Sequence, residues 1–333
     1  MKTINKRVDC KVYGSKAFEM YFRESRIAVF DIETTGLYPN RDKLILSGIV
    51  FLSPKEPATC MQYFADSIGD ERNVVESTIE ALSRADLIVT YNGASFDLPF
   101  LRTRAGKYGV DANAITAIHL DIYNLVKHYS DIKRLIGSLR QKNLEYYMGI
   151  SDKRSDKISG AESVAMYEEY LNARSRRLED EILLHNSDDI IQLAKLIPVI
   201  EKTDFHRAMS RVGFIAGDYM VDAISVNSSA IDITASCLKK PFDYISFPTD
   251  EKPYTVMSSS ASNRIDISIP AETPAKGVHV IDVQKLLPAA SLEELKRYPA
   301  FEAGYLIAKA DSSENNLEIN LFVREFLENL SIF

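Results

Sequence analysis

At 333 residues, 46% hydrophobic and 26% charged, the chain has the composition of an ordinary soluble globular protein long enough for two domains. No apolar run reaches the roughly 18 residues of a membrane span, and the basic N-terminus MKTINKRVDCKVYGSKAFEM lacks a following apolar stretch, so neither a span nor a signal peptide is expected. A net charge of −7 argues against bulk coating of nucleic acid while leaving room for a local basic track, and Cys10, Cys60 and Cys237 have no metal-ligand spacing, as expected of reduced thiols in a cytoplasmic protein.

In chain order, β-branched and aromatic runs predict strands at 26–33, 43–52, 58–64, 87–91 and 117–122. ERNVVESTIEALSRAD, with Val75, Ile79 and Leu82 at helical spacing, predicts a helix between the third and fourth strands. Ser95 reads as the N-cap of a helix beginning near Asp97, and further helices fit near 141–148, 161–172 and 176–200. The order implies an α/β fold: a mixed sheet of three antiparallel strands followed by parallel ones, flanked by helices. After about residue 203 the pattern changes. IDITASCL, RIDISIPA, GVHVIDV and LEINLFV alternate like half-buried strands, and a helix is expected at 321–330. The expected division is 20–202 for the α/β domain and 203–333 for a smaller β-rich accessory domain of unassigned role.

Three clusters carry candidate chemistry. In RIAVFDIETTGL, period-2 alternation points Asp31 and Glu33 the same way from one strand. Like charges there are destabilising, and a divalent cation coordinated by hard oxygens relieves the conflict; the alternative is a strand end whose acids face water. In YNGASFDLPFL, Asn92 lies at the carboxyl end of a strand, where α/β sheets bind ligands, and Asp97 opens the next helix. A turn and a dipole-favoured acid are the alternative there. In LLHNSDDIIQLAKL, His185 and Asp189 are four apart on one helix face, and Asp188 points about 100° away. A chance polar stripe is the alternative.

Together these clusters resemble the DEDD family of 3′–5′ exonucleases on the ribonuclease H-like fold. That family has DxE on the first strand, an Asn–x4–Asp cluster, and a late helical Asp preceded by Tyr or His. HLDIYNLVKHY, QKNLEYYMGI, SGAESVAMYEEYL and LLHNSDD resemble more narrowly the YprB-type ribonuclease H-like proteins of bacteria, over roughly residues 20–200. The resemblance implies that Asp31, Glu33, Asp97 and Asp189 hold two Mg²⁺ or Mn²⁺ ions, with Asp31 bridging. It implies hydrolysis of DNA or RNA with a single-stranded 3′ end, with His185 positioning or deprotonating the attacking water. His185 stands at the spacing of the Tyr members, three residues before the last Asp rather than four. Substrate contacts fall on Thr34 and Gly36, with neighbouring backbone N–H groups, and on Leu37 as a wedge beside the terminal base, the alternative being a plain turn with a buried leucine; Asn92 either bonds the substrate strand or holds the site in shape. Asp121 reads as a supporting residue or helix cap. Arg102, Arg104, Lys127, Lys133, Arg134, Arg140, Lys142 and the run Arg174, Arg176, Arg177 are candidate phosphate contacts or simply solvated faces, and Tyr146 and Tyr147 candidate stacking residues or core. The competing functions are a structure-selective endonuclease with the same site and a non-catalytic nucleic-acid-binding protein. No P-loop, GxGxxG or GxSxG motif directs the chain to another class.

Overall fold

In a computed structural model, which describes residues 1–150 and 160–330, the β-branched runs of the N-terminal half become the strands of a mixed sheet. Residues 151–159, inside the expected 20–202 domain, and 331–333, at the end of the expected 203–333 domain, lie outside the described residues. The chain divides into two units, Met1–Asp204 and Phe205–Phe333.

In the first unit the elements run β1 (Lys2–Arg7), α1 (Lys16–Phe22), β2 (Ile27–Thr34), β3 (Leu44–Ser53), β4 (Glu56–Phe64), α2 (Glu71–Leu82), β5 (Leu87–Thr90), α3 (Asp97–Tyr108), β6 (Ile118–Asp121), α4 (Ile122–Tyr129), α5 (Ile132–Ile136), α6 (Gln141–Tyr147), α7 (Gly160–Ala173) and α8 (Arg176–Leu196). Among the described residues the sheet has six strands in the order β1-β4-β3-β2-β5-β6. The hairpin-linked strands β2, β3 and β4 are antiparallel, and β5 and β6 add in parallel after helical crossovers. This is the mixed sheet expected. The additional strand is β1, which pairs antiparallel with β4 from Lys2 opposite Phe64 to Arg7 opposite Thr59, ahead of residue 20.

The sheet is covered by helices, so its central strands carry apolar residues on both faces. Ile27, Ala28, Val29 and Phe30 of β2 are fully buried. Helix α8 packs on β2, β3 and β4 through a stripe that includes Leu178, Ile182, Ile190, Leu193 and Leu196. Each such buried side chain contributes about 1.5–3 kcal/mol of transfer free energy. The same packing turns His185 and Asn186 inward, onto β2 and β3.

The expected Ser95 cap differs. Helix α3 does begin at Asp97, but Phe96 holds the capping position and Ser95 lies in the preceding turn, its N–H bonded to the Asn92 carbonyl. Asn92 enters that turn with φ of 65°, a left-handed conformation that asparagine tolerates better than most residues.

The second unit comprises α9 (Phe205–Val212), β7 (Phe214–Ala216), β8 (Tyr219–Val226), β9 (Ala230–Cys237), β10 (Tyr244–Ser246), β11 (Thr255–Ser259), β12 (Arg264–Pro270), β13 (Glu272–Ala275), β14 (Val278–Asp282), α10 (Ala289–Leu295), β15 (Phe301–Glu302), β16 (Tyr305–Ala310), β17 (Ser313–Glu314) and α11 (Asn316–Glu328). Among the described residues, one antiparallel sheet runs β10-β11-β12-β9-β8-β7 and a second runs β13-β14-β16-β15. LEINLFV is helical, not a strand: it lies within α11, whose buried residues Ile319, Phe322, Val323, Phe326 and Leu327 recur at intervals of three and four.

Candidate active site

Strand β2 carries Asp31 and Glu33 near its C-terminal end, α8 brings His185 and Asp189 to Glu33, and α3 sets Asp97 against the β2 backbone at Ile32. A cleft of about 910 Å³ is lined by Asp31, Glu33, Thr34, Gly36, Leu37, His185 and Asp189, with Arg140, Gln141, Lys142 and Asn143 along one wall. The His185 Nε2 lies 3.7 Å from the Glu33 Oε1 and 3.7 Å from the Asp189 Oδ2. Ligand atoms of Glu33, His185 and Asp189 fall within 4.8 Å of one another. Asp97 is buried, and its Oδ1 accepts a hydrogen bond from the Ile32 N–H at 3.1 Å, which ties the start of α3 to the middle of the DxE sequence.

The electrostatics of this cluster are those of acids crowded together. Asp31 reaches solvent through the cleft, yet the protein around it raises its carboxyl well above the ordinary value, and the charges of Asp97, Glu33 and Asp189 push further the same way. Glu33 is raised to about 7, mainly by burial, with His185 opposing the shift. Asp97 is raised to about 7 by burial, against the bond from Ile32. Oxygen donors carrying charge at such a cost suit a hard divalent cation, which neutralises carboxylates and prefers oxygen ligands. The donor set therefore fits a divalent cation.

Asn186, which no sequence motif singles out, positions the first acid. Its Nδ2 donates to the Asp31 Oδ2 at 3.1 Å, and its Oδ1 accepts from the Gln62 Nε2 at 2.9 Å. Gln62 also donates to the Leu183 carbonyl at 2.9 Å, so the amide orientations of this chain are set by its partners. Asp31, Gly48 and Gln62 face one another across β2, β3 and β4. A Cβ at Gly48 would lie 2.0 Å from the Asn186 Oδ1, so the missing side chain is the gap through which the amide reaches the sheet. The legible signal was Gly48 itself: a glycine inside the apolar run KLILSGIVFL marks close approach of another group.

The residues assigned to substrate are brought together unevenly. Thr34 Oγ1 donates to the Gly36 carbonyl at 2.7 Å, and the Thr35 N–H is engaged by the Lys43 carbonyl at 2.9 Å. A Cβ at Gly36 would meet the Asp42 Oδ2 at 2.4 Å, and that same oxygen accepts from the Tyr38 N–H at 2.8 Å. This braced loop leaves Leu37 73% exposed at the cleft. Asn92 is not among the described residues lining the cleft. Its backbone N–H donates to the Asp121 Oδ1 at 2.9 Å, while Asp121 also accepts from the N–H groups of Ala94 and Asn124. Asp121 thus caps α4 and clamps the turn before Asp97.

Of the basic residues, Arg140 and Lys142 reach the cleft and Arg104 does not. Arg104 is fully buried, donating to both Glu71 carboxylate oxygens and, at 2.9 Å, to the Pro39 carbonyl. It holds the loop that carries Leu37 rather than any phosphate. Arg176 and Arg177 pair along their own helix with Asp180 and Glu181.

A family model described as RNase_H superfamily matches residues 28–200. The DNA polymerase of Methanocaldococcus jannaschii is 32% identical over 91 residues, which cover 25% of this chain and 6% of that protein. The DNA polymerase of Pyrococcus glycovorans is 27% identical over 134 residues, covering 31% of this chain and 17% of that protein. The family B DNA polymerase structure from Pyrobaculum calidifontis aligns over 91% of this chain and 45% of that one, at 16% identity and a TM-score of 0.43. The chain thus spans a small part of the polymerases it matches in sequence. With the family model covering more than half of its length, the chain belongs to the RNase_H superfamily.

Proposed function

We propose that this protein is a divalent-metal-dependent 3′–5′ exonuclease of the DEDD type, akin to the YprB-type proteins, that hydrolyses phosphodiester bonds at single-stranded 3′ ends of DNA or RNA. The observation that carries this reading is the convergence of Asp31, Glu33 and Asp189 with His185 on one cleft, backed by Asp97. Membership of the RNase_H superfamily supports a nuclease, and similarity to DNA polymerases supports a nucleic-acid substrate.

Asp31, Glu33, Asp97 and Asp189 would hold two Mg²⁺ or Mn²⁺ ions. Bound there, such ions would lower the pKa of the attacking water and neutralise charge developing on the phosphoryl group and the departing 3′ oxygen. The chain's own residues do the rest. Asn186 keeps the Asp31 carboxylate turned in one direction. His185, facing both Glu33 and Asp189, positions the water for attack. Leu37, held out by the braced 35–43 loop, wedges beside the terminal base. The second unit, Phe205–Phe333, serves as an accessory domain.

The test is cleavage of end-labelled single-stranded DNA and RNA with Mn²⁺ by the wild type, Asp31→Ala and Asp189→Ala. The reading expects cleavage that depends on the metal and falls at least about a hundredfold in each variant. Full activity in either variant would remove these carboxylates from the mechanism.

A further inference from the structure

Helix α6 buries Leu144 and Glu145 while leaving the next two side chains outside: Tyr146 is 77% exposed and Tyr147 38% exposed. Full burial of a large apolar side chain is favourable, so two adjacent outward aromatic residues forgo stabilisation the fold had within reach. The helix is fixed to the acidic site, because the Gln141 Nε2 donates to the Asp189 carbonyl at 3.0 Å. Arg140, Lys142 and Asn143 line the cleft on this side. A second hollow, of about 580 Å³, is lined by Ile136, Asn143, Tyr146 and Tyr147. Asn143 lines both, so the aromatic pair adjoins the wall of the cleft that carries the two cations. A positive track followed by aromatic faces is what an unpaired polynucleotide uses: phosphates follow the charge and bases lie on the rings.

We propose that Tyr146 and Tyr147 form a stacking subsite for unpaired bases on the 5′ side of the terminal nucleotide, with Arg140 and Lys142 on the intervening phosphates. The ligand class is single-stranded DNA or RNA, with little base preference, because every base offers a π-face. The direction of the strand rests on the exonuclease reading above; the subsite itself rests on the geometry of α6.

The experiment measures, in EDTA, the affinity of the whole protein for fluorescent single-stranded octanucleotides carrying one abasic position moved stepwise from the 3′ end. Wild type is expected to lose about fivefold or more at one or two interior positions, the size of one stacked base. Tyr146→Ala weakens binding to the intact octamer by a similar factor and loses that position dependence, while Tyr146→Phe keeps both. Arg140→Ala makes the fall of log affinity with log salt shallower by about 0.7, one single-strand phosphate contact. Equal affinity of wild type and Tyr146→Ala for the intact octamer, or no octamer binding by wild type, overturns the proposal; the former would point to a protein partner on this face. Mn²⁺-dependent hydrolysis of the same octamer by the wild type is scored separately. Its absence beside a Tyr146-dependent affinity would end the nuclease reading and leave the stacking subsite standing.

Discussion

Glu33 and Asp97 keep their protons to about 7, against ordinary values of 4.5 and 3.8, because burial disfavours their charged forms. Well below these ordinary values each group is protonated folded and unfolded alike and has no effect on stability. As the pH rises through about 4 to 7 the unfolded chain releases these protons while the folded one retains them, so metal-free stability falls across that window. A tenfold difference in proton affinity between the two states is worth about 1.4 kcal/mol, so the loss is on the order of several kcal/mol. Urea denaturation in EDTA should give a lower midpoint at pH 8 than at pH 5.5, and saturating Mn²⁺ at pH 8 should restore it. A metal-free midpoint that is flat or rises between those pH values would contradict this account of the cluster. A second expectation concerns the amide that holds Asp31. Gly48→Ala puts a methyl where the Asn186 Oδ1 sits, so it should raise the Mn²⁺ concentration needed for half-maximal cleavage about as much as Asn186→Ala does. The double variant should be no worse than either single one, since both break one interaction. Additive effects would mean that Gly48 acts elsewhere.

At the scale of elements, the 35–43 loop stands on a buried ion pair between α2 and α3. Burial alone would raise the Glu71 carboxyl, but bonds from Arg104, Tyr108, Lys43 and the Leu44 N–H hold it below its ordinary value. Removing Arg104 strips the buried Glu71 carboxylate of its two-pronged partner and leaves only Lys43, Tyr108 and the Leu44 N–H, so Arg104→Ala should cost about 3 kcal/mol in urea denaturation, whereas an exposed phosphate-binding arginine would cost under about 1 kcal/mol. The sequence pattern made Arg104 look like a surface cation, because helical spacing alone does not show which neighbours an arginine meets. Strand β1 went unread for a related reason. Its KTINKR is mostly polar, as suits a strand at the sheet edge, so no apolar alternation marks it. LEINLFV misled in the opposite sense: Leu317, Ile319, Leu321 and Val323 satisfy period two over seven residues. Only the longer window to Leu327 reveals the helical stripe. By contrast β2, β3 and β5 were legible as apolar runs bounded by turns, and α8 by the helical spacing of its apolar residues.

Over the whole molecule, the order of motifs along the chain was more informative than any one of them. Asp31 and Glu33 on a strand, Asp97 at a helix start and Asp189 on a late helix are far apart in sequence, and the mixed sheet gathers them at one end. The supporting contacts were not legible. Asn186 reaches Asp31 across 155 positions and Gln62 reaches Asn186 across 124, and pairings of that range have no local signature. The described residues lining the cleft all belong to Met1–Asp204, so the chemistry is assigned to that unit. The most direct test of that assignment is a time course with Mn²⁺ on a 5′-labelled single strand whose 3′ end is either free or blocked. A ladder shortening one nucleotide at a time from the free end, and no cleavage of the blocked strand, is the predicted result. Internal cuts in both strands would contradict 3′–5′ exonuclease action and assign the same carboxylates to an endonuclease.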